Sequence, residues 1–105
     1  MAATKVKICG LSTPATLEVA VAHGADFVGF VVFPPSPRNV SLETAASLRS
    51  LARGRAKSVV LLVDAEDSLV ENVVRQVAPD FLQLHGDETP ERVADVRTRW
   101  RVPIR

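Results

Sequence analysis

A second cysteine is the first thing missing. Cys9 stands alone in 105 residues, so no disulfide can close within the chain, which suits a reducing compartment without demonstrating one. Excess charge is missing too: thirteen Lys and Arg face twelve Asp and Glu, a formal net charge of +1. No overall field recommends nucleic acid or an anionic membrane as partner, and electrostatic recognition has to be local. The longest apolar runs, "FVGFVVF" from Phe27 and "SVVLLV" from Ser58, fall far short of the roughly 20 residues that cross a bilayer. Met1 opens no signal-like stretch, and a cytoplasmic address is the expectation. There is no phosphate-cradling "GxGxxG" or "GxxxxGK", no nucleophilic serine motif, and no metal-ligand spacing among two histidines and one cysteine. Neither a metal nor a cofactor is expected.

What is present describes an ordinary globular chain, 47% hydrophobic and 24% charged, with one domain over residues 1–105 as the default. Short apolar runs alternate with segments of helical period, the pattern of parallel strands joined by crossover helices. The first strand reads as Lys5 to Cys9. Thr13 and Pro14 form a cap-then-proline helix start, and Gly24 closes that helix. A second strand covers Asp26 to Val32, followed by the loop "FPPSPRNV" and a helix capped by Ser41 running to about Leu51. After "ARGRA" comes a third strand, Lys57 to Val63, and Ser68 with Glu71 fits a capping box for a helix that stops near Pro79. The fourth strand is Asp80 to Leu84. Thr89 and Pro90 then repeat the cap-then-proline signature before a helix to about Trp100, and "VPIR" opens a fifth strand. Each strand is apolar on both faces, as expected of a sheet that helices cover on one side and packed side chains fill on the other. Four such units amount to about half of an eightfold barrel, or to an open flavodoxin-like sheet. Composition does not choose between them.

Side chains alternate across a strand, so Lys5, Lys7 and Cys9 share one face and Val6 and Ile8 the other, where they would pack on helices. Cys9 then sits at the carboxyl end of its strand, where barrel enzymes place catalytic groups. A lone cysteine is usually a small buried hydrophobe. Here the nearby Lys7 ammonium would favour the thiolate, which can act as a base; the plainer reading of Lys7 is a surface ammonium. Arg38 follows three prolines in "PPSPRN", and a stiff loop can aim a guanidinium at a carboxylate or a phosphate. A solvated or ion-paired arginine is the ordinary alternative. Gln83 and His85, in "QLHG", fall on one face at the same end of the sheet and could form a polar wall for a ligand, or serve as a structural hydrogen-bonding residue and a loop histidine. Asp64, ending the third strand, either lines the mouth or caps a helix. The arginines of "RSLARGRAK" and "RTRWRVPIR" lie near helix carboxyl ends, where cations complement the dipole and face water, and Trp100 reads as a packing residue.

Taken together, "VKICGL", "GADFVGFVVFPPSPRNVS" and "FLQLHGDE", in this order, resemble the phosphoribosylanthranilate isomerase family of tryptophan biosynthesis. The resemblance implies a (β/α)8 barrel of which this chain is the N-terminal half, about (β/α)4 plus the start of a fifth strand. It implies an Amadori rearrangement of N-(5-phosphoribosyl)anthranilate to the 1-deoxyribulose 5-phosphate ketosamine, without a cofactor. By the same resemblance Cys9 is the general base that removes the C2 proton, Arg38 lies near the anthranilate carboxylate, and His85 lines the pocket. The family's general acid, an aspartate, and its phosphate-binding loops belong to later strands, so the chain alone is expected to be inactive or nearly so. Unpaired sheet edges would favour self-association or pairing with a C-terminal half. The alternative expectation is a non-catalytic half-barrel or open-sheet module that binds a small anion through Arg38 and nearby backbone N–H groups.

Overall fold

The "FVGFV" run forms a strand, β2 (Phe27–Val31), buried at every position. Only a strand with neighbours on both sides and cover on both faces can afford so little polarity. Its neighbours are parallel: β1 (Lys7–Ile8) on one side and β3 (Lys57–Leu62) on the other, with β4 (Phe81–Leu84) beyond, in the order β1-β2-β3-β4. The computed structural model describes residues 5–105; the reading of Met1 lies outside them.

The crossovers are α1 (Pro14–Ala22), α2 (Leu42–Ala52) and α3 (Asp67–Gln76), and α4 (Pro90–Trp100) follows β4. Each helix packs on the next. Their buried residues, among them Leu17, Leu48, Val70, Val73 and Val96, form one core with the even-numbered strand residues Val28, Phe30, Val60, Leu62 and Leu82. Phe27, Val31 and Val59 are buried but stand outside that core, on the opposite face. All four helices therefore lie on one side of a consecutively ordered sheet. A doubly wound, flavodoxin-like sheet reverses its strand order and carries helices on both faces, so that expectation fails.

Local chemistry starts three helices as expected: Thr13 accepts from Thr16 N at 3.2 Å, Ser41 from Thr44 N at 3.1 Å, and Thr89 from Arg92 N at 3.1 Å. The third helix departs from expectation. It starts at Asp67 behind Glu66, which makes no capping bond, and Ser68 lies inside the first turn, so no Ser68–Glu71 capping box forms. A tertiary pairing takes its place: Arg92 and Arg99 of α4 each reach Asp67 at 2.7 Å. An acid in the first turn also complements the helix dipole.

The strands are shorter than read, and β1 most of all. Instead of Lys5 to Cys9 it spans two residues, because it is an edge with one partner and because Gly10, at φ 82°, turns the chain away. Val6 O still accepts from Asp26 N and Phe27 N, at 2.8 and 3.1 Å. Nor is β1 covered on both faces: Val6 and Ile8 are 44% and 38% exposed. The fifth strand is a single parallel bridge, Leu82 to Ile104, with Leu82 N donating to Pro103 O at 3.0 Å and Arg105 N to Leu82 O at 2.8 Å. Pro103 has no N–H to extend it. Trp100 packs against the core as read. The basic clusters do not all face water: Arg49 is half-buried and bonds Ala78 O at 2.8 Å, and the Arg105 guanidinium lies 4.2 Å over the Phe27 ring.

Candidate active site

Parallel strands finish on the same side, so the segments after β1, β2, β3 and β4 form one rim. Cys9, Arg38, Asp64 and His85 occupy those segments in turn.

Cys9 is half-buried against the middle of β2. The seat exists because Gly29 has no side chain: a Cβ there would lie 3.0 Å from the Cys9 Sγ and 3.2 Å from its Cα. Gly29 O accepts from both Gly10 N and Leu11 N, at 3.0 and 3.1 Å, stitching the cysteine segment in place. Gly10 serves in a second way. A Cβ on it would stand 2.6 Å from Arg38 Cδ and 3.0 Å from Nη1, so the guanidinium arm lies directly across the residue that follows the thiol. The loop carrying Arg38 is closed by its own bonds: Ser36 N to Phe33 O at 2.9 Å, Arg38 N to Ser36 Oγ at 3.1 Å, Asn39 N to Ser36 O at 3.1 Å, and Phe33 N to Asn39 Oδ1 at 2.7 Å. Arg38 is exposed, and none of the ion pairs among the described residues involves it. A guanidinium aimed by a rigid loop, with no ion-pair partner among the described residues, can hold one planar anion through two parallel N–H bonds.

Lys7 and Gln83 meet. Although β1 and β4 are the outer strands, the Lys7 Nζ donates to the Gln83 Oε1 across the face away from the helices. Deeper on this face Phe27 and Phe81 pack edge to face with centroids 5.8 Å apart. His85 anchors to the rim through its backbone N, which donates to Leu62 O at 2.9 Å, while its side chain is exposed. The structure thus brings the Arg38 arm against Gly10, the residue after Cys9, and joins Lys7 with Gln83; no hydrogen bond among the described residues ties the His85 imidazole to any of them. Asp64 neither caps a helix nor stands free, since its Oδ1 accepts from Asp87 N at 2.7 Å.

Sequence reasoning passed over Gly10, Gly29, Gly86 and Glu88. The first two had a signal, a glycine directly after the cysteine and another in the middle of an apolar strand, where close backbone approach is the usual cause. An apolar groove lies elsewhere, about 450 Å³ between the β1 edge and α1, lined by residues that include Val6, Ile8, Leu11, Val19 and Ala20. It offers almost no polar surface and lies on the helix side, so the rim is the better place for chemistry. Among the described residues no group of three or more His, Cys, Asp or Glu could hold a metal ion, and no helix is long and apolar enough to cross a membrane.

Residues 6–105 match the family model for N-(5'phosphoribosyl)anthranilate (PRA) isomerase. The chain is 60% identical over 95 residues to the N-(5'-phosphoribosyl)anthranilate isomerase of Afipia carboxidovorans, covering 90% of this chain and 41% of that protein. It is 55% identical over 102 residues to the enzyme of the same name from Azorhizobium caulinodans, covering 97% of this chain and 45% of the other. Among solved structures, phosphoribosyl anthranilate isomerase from Thermotoga maritima superposes with a TM-score of 0.89 at 30% identity, over 97% of this chain and 49% of that one. An isomerase in complex with reduced 1-(o-carboxyphenylamino)-1-deoxyribulose 5-phosphate gives 0.90 at 30% identity, over 97% and 52%. The chain spans less than half the length of the curated relatives it matches.

Proposed function

The chain belongs to the N-(5'-phosphoribosyl)anthranilate isomerase family, and from that premise we propose that it carries the base-bearing part of an enzyme converting N-(5-phosphoribosyl)anthranilate to 1-(2-carboxyphenylamino)-1-deoxyribulose 5-phosphate in tryptophan biosynthesis. One observation supports this above the others: the Arg38 arm lies across Gly10, the residue next to the only thiol. A base and a carboxylate-binding cation held that close suit a substrate whose reacting carbon is a few bonds from a benzoate.

In this reading Arg38 binds the anthranilate carboxylate, while His85 and the Lys7–Gln83 pair line the pocket. The Cys9 thiolate takes the C2 proton of the ring-opened Schiff base. The electron pair of that C–H bond becomes the C1–C2 double bond of an enolamine, the iminium nitrogen taking up the displaced pair. Return of a proton to C1 and loss of the enol proton leave the C2 ketone, so C1 is reduced as C2 is oxidised and no external oxidant is needed. Ring opening needs an acid to protonate the departing ring oxygen.

That acid and the phosphate grip are assigned to residues outside this chain, which is read as the N-terminal (β/α)4 part of a (β/α)8 barrel. Consecutive strand order, helices on one face and coverage of about half of the solved isomerase chains support it. The open edge of β1 and the apolar groove beside it suit a complementary barrel half, and a cytoplasmic location belongs to the same proposal.

Titration of the chain with the reduced ketosamine phosphate tests the reading. Binding is expected, with about a tenfold loss in Arg38→Ala, as befits one charge-assisted contact, and with turnover of the true substrate absent or slight. Affinity untouched by Arg38→Ala removes the carboxylate assignment, and turnover matching a complete barrel removes the half-site. Binding without C2 proton exchange, in the presence of a complementary half, favours a non-catalytic anion-binding module, whereas exchange abolished by Cys9→Ser favours the enzyme. A strictly monomeric mass at micromolar concentration, with and without such a half, argues against pairing.

A further inference from the structure

We propose that Asp64 and Glu88 are positioning residues that lock the loop carrying His85 over the rim, an inference that rests on the isomerase reading of that rim. Three consecutive amides of this loop are taken: His85 N donates to Leu62 O at 2.9 Å, Gly86 N to Glu88 Oε1 at 2.7 Å, and Asp87 N to Asp64 Oδ1 at 2.7 Å. The second Glu88 oxygen, Oε2, accepts from Asp64 N at 2.9 Å. Each carboxylate therefore grips the other's segment. Asp64, leaving β3, holds the loop after β4, and Glu88 in that loop holds the backbone of Asp64.

Helix capping does not account for either acid, because Glu66 stands at the start of α3 and Thr89 caps α4. Both exact a cost from the chain. Asp64 adopts a left-handed backbone at φ 47°, a conformation that Asp tolerates better than most residues. Gly86 must be a glycine, since a Cβ there would stand 2.5 Å from Asp64 Oδ1 and 2.6 Å from its Cγ. Two like charges brought to one loop would repel. They are held because each points its oxygens at backbone N–H groups, in charge-assisted bonds stronger than neutral ones. The product of the arrangement is a fixed backbone under an exposed side chain. Such an imidazole can meet a ligand without the entropic loss of ordering a mobile loop.

Asp64→Asn and Asp64→Gly separate this from a merely structural role. Asparagine keeps an oxygen for the Asp87 amide and tolerates the backbone angle; glycine accepts the angle without strain but removes the oxygen. The measurements are 15N relaxation of residues 85–87, the His85 ring resonances, thermal midpoint, and affinity for reduced 1-(o-carboxyphenylamino)-1-deoxyribulose 5-phosphate. In Asp64→Gly the order parameters of the three amides are expected to fall from about 0.85 to below about 0.6, the ring resonances to collapse toward a random-coil position, and affinity to drop about tenfold. Asp64→Asn restores all three. A rigid loop and unchanged affinity in Asp64→Gly overturn the proposal, as does an Asp64→Asn variant impaired to the same degree. Should Asp64→Gly fail to fold, Glu88→Gln, with one acceptor oxygen left for two amides, takes its place under the same criteria. If the unsubstituted chain does not bind the ligand, the isomerase reading falls, and the relaxation comparison alone decides whether the two carboxylates lock the loop.

Discussion

Replacing Gly29 by alanine probes the seat of the thiol. A Cβ at this position meets Cys9 Sγ at 3.0 Å, Cα at 3.2 Å and Cβ at 3.4 Å, each at or inside the closest ordinary van der Waals approach. The sulfur can rotate away, but the Cα cannot move without pulling Gly10 N and Leu11 N off Gly29 O, which they reach at 3.0 and 3.1 Å. Overpacking of this kind costs about 1–3 kcal/mol. Against it stands a gain of roughly 0.5–1 kcal/mol for alanine over glycine in a strand. The net is a loss of about 1 kcal/mol at the middle of these ranges and at most about 2.5 kcal/mol, and a loss of about 1 kcal/mol lowers the thermal midpoint of a domain of this size by about 4–8 °C. Circular-dichroism melts measure the loss, and the rate at which Cys9 reacts with an aromatic disulfide should rise several-fold as the thiol leaves its seat. Cys9→Ala removes the closest contact, so the double substitution should recover part of the loss, with a coupling of at least about 0.5 kcal/mol. A midpoint unchanged or raised in Gly29→Ala, an unaltered thiol rate and strict additivity would together refute the packing of Cys9 on β2.

Other perturbations follow from the same contacts. Gly10→Ala places a side chain on a residue at φ 82° and against Arg38, so about 1–2 kcal/mol of stability should be lost in melts, together with carboxylate-ligand affinity in titrations. Ser58→Ala strips a buried hydroxyl that accepts from Asp80 N at 3.0 Å and donates to Asp80 Oδ2 at 3.1 Å; urea unfolding should show a loss of about 1–3 kcal/mol, and a loss below about 0.5 kcal/mol would deny the pairing. The Arg99 and Arg92 guanidinium groups hold the Asp67 carboxyl below its ordinary range, as Arg55 holds that of Glu18. A depressed folded value means that the unfolded chain binds more protons, so this contribution is present above the usual carboxylate range near about pH 4 and is lost as pH falls through the folded value. Thermal midpoints recorded from neutral pH downward should fall less steeply in Asp67→Asn, and the difference should shrink in high salt because both sides are exposed. Identical slopes would deny the ion pairs.

The order of elements was legible because its signals are local. Thr13, Ser41 and Thr89 cap helices by bonding amides three residues on, and Pro14 and Pro90 tolerate only a first-turn place, so neighbours along the chain decide these starts. Where a distant residue had the last word, the reading failed. Ser68 looked like a cap, yet α3 starts around Asp67 because two arginines from α4 wait there. The first strand looked five residues long, yet an edge with one partner keeps only two. Asp64 gave no hint that its oxygen would reach Asp87 N, 23 positions away.

By itself the sequence determined the alternation of strand and helix, the strand-end positions of Cys9, Arg38 and His85, and, through its three spaced motifs, the family. Burial periods and caps are written in neighbouring residues, so a linear reading suffices for them. Tertiary structure decided that all helices take one face, that the Arg38 arm lies across Gly10, that Lys7 reaches Gln83, and that two carboxylates clasp the loop of His85. Those are contacts between residues far apart in the chain, set by which backbones can approach closely, and only folding brings the partners within range.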